Sequence, residues 1–233
     1  PIDQLFKVYD FSAMTPFQLD NSIGRLHLVK KLIIGGGAVS PRLRKMLVDM
    51  DTRIYETYGM TETCSHIAAK RLNPTKKKVS KAFKLLPNVS ITKDDRDCLV
   101  IKAPKVLDKE IVTNDVVEII TYKKFIWKGR YDNVINSGGI KIFPEEIERK
   151  INKKLDHRFF ITSMPDDALG EKVVMFVEDD FSEERLTELR EMVGNMKSLG
   201  KYEKPRKIYL IAKFEETPNG KIHRENTAKS KVS

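Results

Sequence analysis

Glu56-Thr57-Tyr58-Gly59-Met60-Thr61-Glu62-Thr63 packs hydroxyls and carboxylates around a single glycine. Short hydroxyl donors suit phosphate oxygens, and a carboxylate suits a hard cation such as magnesium. By chemistry alone the run is ambiguous, because Thr-Glu-Thr also caps helices. Gly35-Gly36-Gly37 is either a tight turn or a place where backbone meets a ligand closely. Asp115 is a carboxylate set in an apolar stretch, which an Asx-type turn would explain as well as a binding role. Ser137-Gly138-Gly139 again demands positive φ or close approach, and Pro218-Asn219-Gly220 puts Lys221 just past a compact bend. A lysine there is either solvated or a point charge aimed at an anion.

The elements that must position these residues follow from pattern. Leu5–Phe11 reads as a strand and Ser12–Leu26 as a capped helix beginning near Thr15-Pro16. Lys31-Leu32-Ile33-Ile34 is a short apolar strand, Ser40-Pro41 starts a helix reaching about Met50, and Arg53-Ile54-Tyr55 is the next strand. Strand, glycine turn, helix and strand make a βαβ unit, whose ligands favour the carboxyl ends of the strands. From about Ala82 to Lys128 short strands and polar turns predict a β-rich region, with a hairpin at Lys93–Asp97. After a charged joint at Lys128–Asp132, Asn133–Glu148 reads as a strand, a glycine pair and a helix opening at Pro144 among glutamates. Strands near Phe159, Lys172 and Lys207 and a helix over 182–196 complete a mixed α/β region.

Composition bounds the rest. With 233 residues, 40% hydrophobic and 33% charged, the chain is long enough for one large domain or two modest ones. No apolar run approaches a membrane span, and no signal segment opens the chain. Cys64 and Cys98 lack metal-ligand spacing, so free thiols in a cytoplasmic protein are expected. The net charge of +10 invites a nucleic-acid reading, but Lys76-Lys77-Lys78 has no interleaved stacking aromatics, and a basic surface equally draws ATP and coenzyme A.

The order of these segments resembles the acyl-adenylate-forming superfamily, which includes acyl-CoA synthetases, firefly luciferases and nonribosomal-peptide adenylation domains. The resemblance is densest over Lys128–Glu148. Further segments match at Gly35–Gly37, Tyr58–Glu62, Thr113–Asp115 and Thr217–Arg224. It implies an α/β fold: residues 1–130 as the C-terminal part of a large domain (parallel βαβ plus a small β-rich subdomain at 81–128), then a small mobile α+β domain at 131–233. It also implies roles. Thr61 would contact phosphate and Glu62 magnesium. Gly35, Gly36, Gly37, Tyr58 and Gly59 would border the adenine, and Asp115 would hold the ribose. Arg130 would bind ribose or phosphate and Asp132 would be the hinge. The Ser137, Gly138 and Gly139 backbone would meet coenzyme A, and Lys221 would neutralise charge at the α-phosphate. The implied activity is ATP-dependent acid–CoA ligation using ATP, Mg2+, coenzyme A and a small carboxylic acid. No nucleic acid or membrane span is implied, and the full-length protein would be a homo-oligomer.

Two departures shape the expectation. Asn114 stands where the family has glycine, a mild change if the position needs left-handed backbone. The family's phosphate loop normally lies upstream of the region matching Pro1, so the chain is expected to be a C-terminal piece of a longer ligase, impaired alone. The other readings are a different aryl- or fatty-acyl-CoA synthetase, or a non-catalytic nucleotide- or nucleic-acid-binding remnant.

Overall fold

Ser12–Met14 is the first strand (β1) of the computed structural model, which describes residues 7–37, 39–73, 79–217 and 222–229. The helix expected within Ser12–Leu26 does begin near Thr15-Pro16, and the residues before it stay extended because β1 pairs in parallel with Lys31–Ile34 (β2), Ser12 opposite Leu32. The helix (α1, Pro16–Asp20) waits for Thr15, whose hydroxyl accepts from Gln18 N at 3.2 Å while Gln18 Oε1 accepts from Thr15 N at 3.0 Å. A second helix (α2, Pro41–Met46) is capped by Ser40 Oγ, which accepts from Leu43 N. It ends four residues before the predicted Met50, and the chain then turns where Thr52 Oγ1 donates to Leu26 O at 2.6 Å.

The next strand (β3) runs Arg53–Met60, parallel to β2 and well beyond the predicted Tyr55. Its far half is held by the returning strand Ser65–Arg71 (β4), antiparallel, with Tyr58 opposite Ala68. Phe83–Leu85 (β5), Ser90–Lys93 (β6), Cys98–Lys102 (β7), Ile111–Thr121 (β8) and Lys124–Arg130 (β9) follow. They extend the same sheet, in the order β1-β2-β3-β4-β5-β9-β8-β7-β6. The β-rich stretch nevertheless has its own core: Ile67, Phe83, Leu99, Ile101 and Phe125 form one buried cluster, and Leu19, Leu26, Leu32, Ile34, Leu47 and Ile54 another. Fully burying each such side chain contributes about 1.5–3 kcal/mol.

The chain divides into units Pro1–Lys128 and Gly129–Ser233. In the second, Ile135–Ser137 (β10) and Ile140–Ile142 (β11) form a hairpin. Its two-residue turn is Gly138 at φ 57° and Gly139 at φ 80°, the left-handed pair that a tight hairpin needs. Helix α3 (Pro144–Ile151), strands Phe159–Asp166 (β12) and Gly170–Glu178 (β13), helix α4 (Glu183–Gly194), strand Lys207–Ile211 (β14) and helix α5 (Arg224–Lys229) follow. The second sheet runs β11-β10-β13-β12, and β14 lies parallel on β13. Ile147, Ile151, Leu189 and Val193 pack with Ile161 and Met175 in one core. A smaller cluster gathers Phe160, Val174, Phe176 and Phe214, with Phe160 stacked on Phe176 at 5.1 Å. Among the described residues no helix is long and apolar enough to cross a membrane.

Candidate functional site

The carboxyl ends of β2 and β3 lie side by side in the parallel part of the large sheet. Gly35, Gly36 and Gly37 leave β2 there, with Gly36 at φ 79°. Thr57 Oγ1 donates to Ile34 O at 3.0 Å, and a Cβ on Gly35 would sit 2.9 Å from Thr57 Oγ1. Glycine therefore lets the turn close against Thr57 without displacing it.

Beyond Thr57 the geometry tightens. The β3–β4 register shifts between Tyr58 and Gly59, so Gly59 presses against the returning chain. A Cβ on Gly59 would lie 1.8 Å from Ser65 O and 2.5 Å from His66 Cα. Thr61–Thr63 form one 3-10 turn, and Cys64 and Ser65 reverse the chain at φ 49° and 123°. Non-glycine residues at positive φ are uncommon and gather at functional turns. Buried Thr63 pins this turn, its hydroxyl accepting from Met60 N at 2.9 Å and lying 3.0 Å from Ser65 O. Thr61 and Glu62 are thereby displayed, exposed, on a fixed turn. The positioning role of Thr63 was missed in the sequence because it depends on the turn that follows.

Asp115 is not at a turn. It lies within β8, only 8% exposed. Oδ2 accepts from Tyr58 Oη at 2.6 Å and Oδ1 from Trp127 Nε1 at 3.0 Å. Tyr58 and Asp115 sit on strands separated by three others in sheet order, so this bond forms because the sheet curls. The Tyr58 ring rests edge-on to Phe125 at 5.1 Å and tilted to Phe83 at 5.8 Å, which sets its plane. Asn114 is also extended, within β8, so the left-handed backbone that would excuse it is not used there. Its side chain instead accepts from Arg96 Nη1 at 3.0 Å.

In the second unit Arg130 and Asp132 pair at 2.8 Å on an exposed segment. The Glu145 carboxylate at the start of α3 accepts from Asn133 Nδ2 at 2.5 Å and from Arg130 N at 3.5 Å. A Cβ on Gly129 would fall 2.2 Å from Glu145 Oε2, so the glycine before Arg130 makes room for that carboxylate. Ser137 is buried in β10, while Gly138 and Gly139 stand at the hairpin tip, Gly138 N donating to Leu169 O at 2.9 Å.

Lys221, with the preceding Pro-Asn-Gly, lies outside the described residues. The chain on either side is fixed: Glu216 and Ile222 form an antiparallel bridge and His223 N donates to Glu215 O at 2.8 Å. Arg224 then donates to Ile161 O at 3.0 Å and to Glu148 Oε2 at 2.9 Å, and Ile161 N donates to Glu148 Oε1 at 2.8 Å. Burial pushes the Glu148 carboxyl from its ordinary 4.5 up to about 7, with Arg224 pulling the other way and Glu145 adding to the rise. The folded pKa lies above the unfolded one. This group's contribution to stability is therefore fully present below about pH 4.5 and lost as pH rises through about 7. A pKa unit is worth about 1.4 kcal/mol, so the linked difference is a few kcal/mol. Melting of the wild type should accordingly fall more between pH 5 and 8 than melting of Glu148→Gln. Parallel curves would mean that this carboxyl does not titrate in that window.

Among the described residues no three His, Cys, Asp or Glu side chains converge on a possible metal position. Glu62 offers an exposed carboxylate beside Thr61 on the fixed turn, which suits magnesium held chiefly by phosphate oxygens and water.

No protein-family model matches the chain. The 2-succinylbenzoate–CoA ligase of Listeria monocytogenes is 25% identical over 214 residues, which are 84% of this chain and 45% of that protein. The chain thus spans about half the length of the curated relatives it matches. Among solved structures, an acyl-CoA synthetase (AMP-forming)/AMP-acid ligase II-like protein from Dyadobacter fermentans is 35% identical, covering 100% of this chain and 68% of that one, at a TM-score of 0.55. The O-succinylbenzoate coenzyme A synthetase of Bacillus subtilis, solved with ATP and magnesium ion, is 19% identical over 94% of this chain and 51% of that one, at a TM-score of 0.77. At that identity the likeness speaks for the fold, a large sheet followed by a second, smaller one.

Proposed function

The chain belongs to the AMP-forming acyl-CoA synthetase family, and on that premise we propose that it serves an ATP-dependent acid–CoA ligase. The acid's carboxylate attacks the α-phosphate of ATP and expels pyrophosphate, leaving an acyl-adenylate. The thiolate of coenzyme A then attacks the acyl carbon, releasing AMP and a thioester. Tyr58 and the Gly35–Gly37 turn border the adenine, with Gly59 shaping the strand end beside it. Asp115 accepts from the ribose hydroxyls and Arg130 meets ribose or phosphate. Thr61 donates to phosphate and Glu62 ligates magnesium, which when bound draws negative charge from the phosphate oxygens. Lys221 supplies a point charge for adenylation. Rotation of the 131–233 domain about Asp132 then exchanges it for the Ser137-Gly138-Gly139 backbone in the thioester step.

The observation that carries this reading is the Tyr58–Asp115 hydrogen bond. It joins two motifs 57 residues apart, beside the turn that displays Thr61 and Glu62. If only packing were at stake, a buried carboxylate with two neutral donors would be a costly way to fill that space.

For the acid we propose o-succinylbenzoate, which places the protein in menaquinone biosynthesis in the cytoplasm, as a homo-oligomer when full-length. Phe11–Pro16 and Asn133–Glu148 are the segments that most resemble o-succinylbenzoate–CoA ligases, and the curated relatives bear that name. The test is thioester formation by the longest product that carries this chain, followed by mass spectrometry, with Mg-ATP, coenzyme A and o-succinylbenzoate. Benzoate and fatty acids serve as controls. Product from o-succinylbenzoate alone is expected. Product from another acid would keep the chemistry and move the pathway, and no product from any acid would sink the ligase reading.

A further inference from the structure

Trp127 is the sole tryptophan of the chain, and its indole N–H is spent on a carboxylate. It lies in β9, next to β8 in the sheet and half-buried against the core of the β-rich stretch. An aspartate side chain swings freely about its last bond unless both oxygens are tied. Here both are: Tyr58 Oη holds Oδ2 and Trp127 Nε1 holds Oδ1. The backbone beneath is tied too, since Asp115 N donates to Thr113 Oγ1 at 3.1 Å and that hydroxyl donates to Leu99 O at 2.8 Å. An ionised carboxylate has about four lone-pair directions, so two remain for a ligand after these bonds. Indole is a donor only, which keeps Oδ1 an acceptor.

We propose that Trp127 is a positioning residue for nucleotide binding. With Tyr58 it locks the Asp115 carboxylate so that its two remaining acceptor directions face the pair of vicinal hydroxyls on ribose. The inference rests on the ligase reading, and it names a residue that the sequence motifs do not. Fixing a carboxylate before the ligand arrives removes the cost of ordering it on binding. The bland account is that Asp115 simply satisfies a half-buried indole, as tryptophan N–H groups commonly require. The two accounts differ in which ligand atoms should feel the loss of the indole.

The experiment measures binding of ATP and of 2′,3′-dideoxy-ATP, by equilibrium dialysis, to the wild type and to Trp127→Phe. Because the ribose hydroxyls are the atoms that Asp115 would hold, Trp127→Phe should weaken ATP roughly tenfold. It should leave the dideoxy nucleotide within about twofold, since that ligand has lost its bonds to Asp115 already. A mutation-free readout keeps the idea exposed if a variant does not fold: the indole N–H resonance of Trp127, in wild type labelled with nitrogen-15 at tryptophan, should shift with ATP and far less with the dideoxy nucleotide. Equal weakening of both nucleotides, or equal shifts of that resonance, would overturn the positioning role while leaving nucleotide binding intact. Absence of ATP binding to the wild type would instead remove the nucleotide reading itself, and this inference with it.

Discussion

Lys221→Ala should abolish the adenylation half-reaction and spare the thioester half. The loss in acyl-adenylate formation is expected to be about 10²–10³-fold, the range for removing one group aimed at developing transition-state charge. Lys221 follows Pro218-Asn219-Gly220, a turn signal in the sequence, and the described stretches on either side are anchored, one by the Glu216–Ile222 bridge and the other by Arg224 on Glu148 and Ile161. A point charge on a flexible stem can then be delivered from a rigid base, which suits lysine better than arginine. Lys221→Arg should therefore restore little. The measurement is ATP-dependent pyrophosphate release with the acid, set beside thioester formation from supplied acyl-adenylate and coenzyme A, in the longest product that carries the chain. Equal losses in both halves would point to misfolding rather than chemistry. Full pyrophosphate release by the variant would remove Lys221 from the mechanism.

Local signals predicted local structure well. The caps at Thr15 and Ser40 and the Gly138-Gly139 turn are written in a few adjacent residues, and each forms as expected. The charged hairpin turn is likewise local, with Asp94 Oδ1 accepting from Arg96 N and Cys98 N and Asp97 taking the positive φ. What stayed hidden is set by distant partners. The length of β3 comes from β4, and the first strand begins at Ser12 because β2 is beside it. Helix α5 was missed because its six residues, Arg-Glu-Asn-Thr-Ala-Lys, carry little apolar periodicity.

The site shows the same division. The family resemblance marked Tyr58, Glu62 and Asp115, but nothing in the sequence says that Tyr58 and Asp115 share a hydrogen bond, or that Trp127 supplies the second donor. Trp127 had one signal, its uniqueness, which has no weight until its neighbour is known. The Glu148–Arg224 pair, 76 residues apart, and the Glu145 contacts with Arg130 and Asn133 depend on how α3 packs. Asn114 shows the same limit: its tolerance of left-handed backbone is a local property, but the strand around it keeps it extended.

Gly59 is the position where a single methyl group should do most damage to the fold. Glycines at turns are usually replaceable at a cost of about 1 kcal/mol. This one differs because its neighbours are backbone atoms, Ser65 O and His66 Cα, which cannot rotate aside. They sit on β4, whose next residues Ile67 and Ala68 are fully buried in the core of the β-rich stretch. Relief must come from opening the β3–β4 ladder at its bulge, which would release the Met60–Thr63 bond and the turn carrying Thr61 and Glu62. Gly59→Ala should therefore cost roughly 3 kcal/mol or more, the scale of forced overpacking with backbone shift. Denaturant unfolding of the wild type and the variant would measure it. A companion substitution separates shape from general glycine effects: Gly139 has open space where a Cβ would go, and its φ of 80° is the sole obstacle, so Gly139→Asn should cost far less. If Gly59→Ala proved as mild as Gly139→Asn, the close approach of β3 to Ser65 would not be what the glycine is for, and the display of Thr61 and Glu62 would have to rest on Thr63 alone.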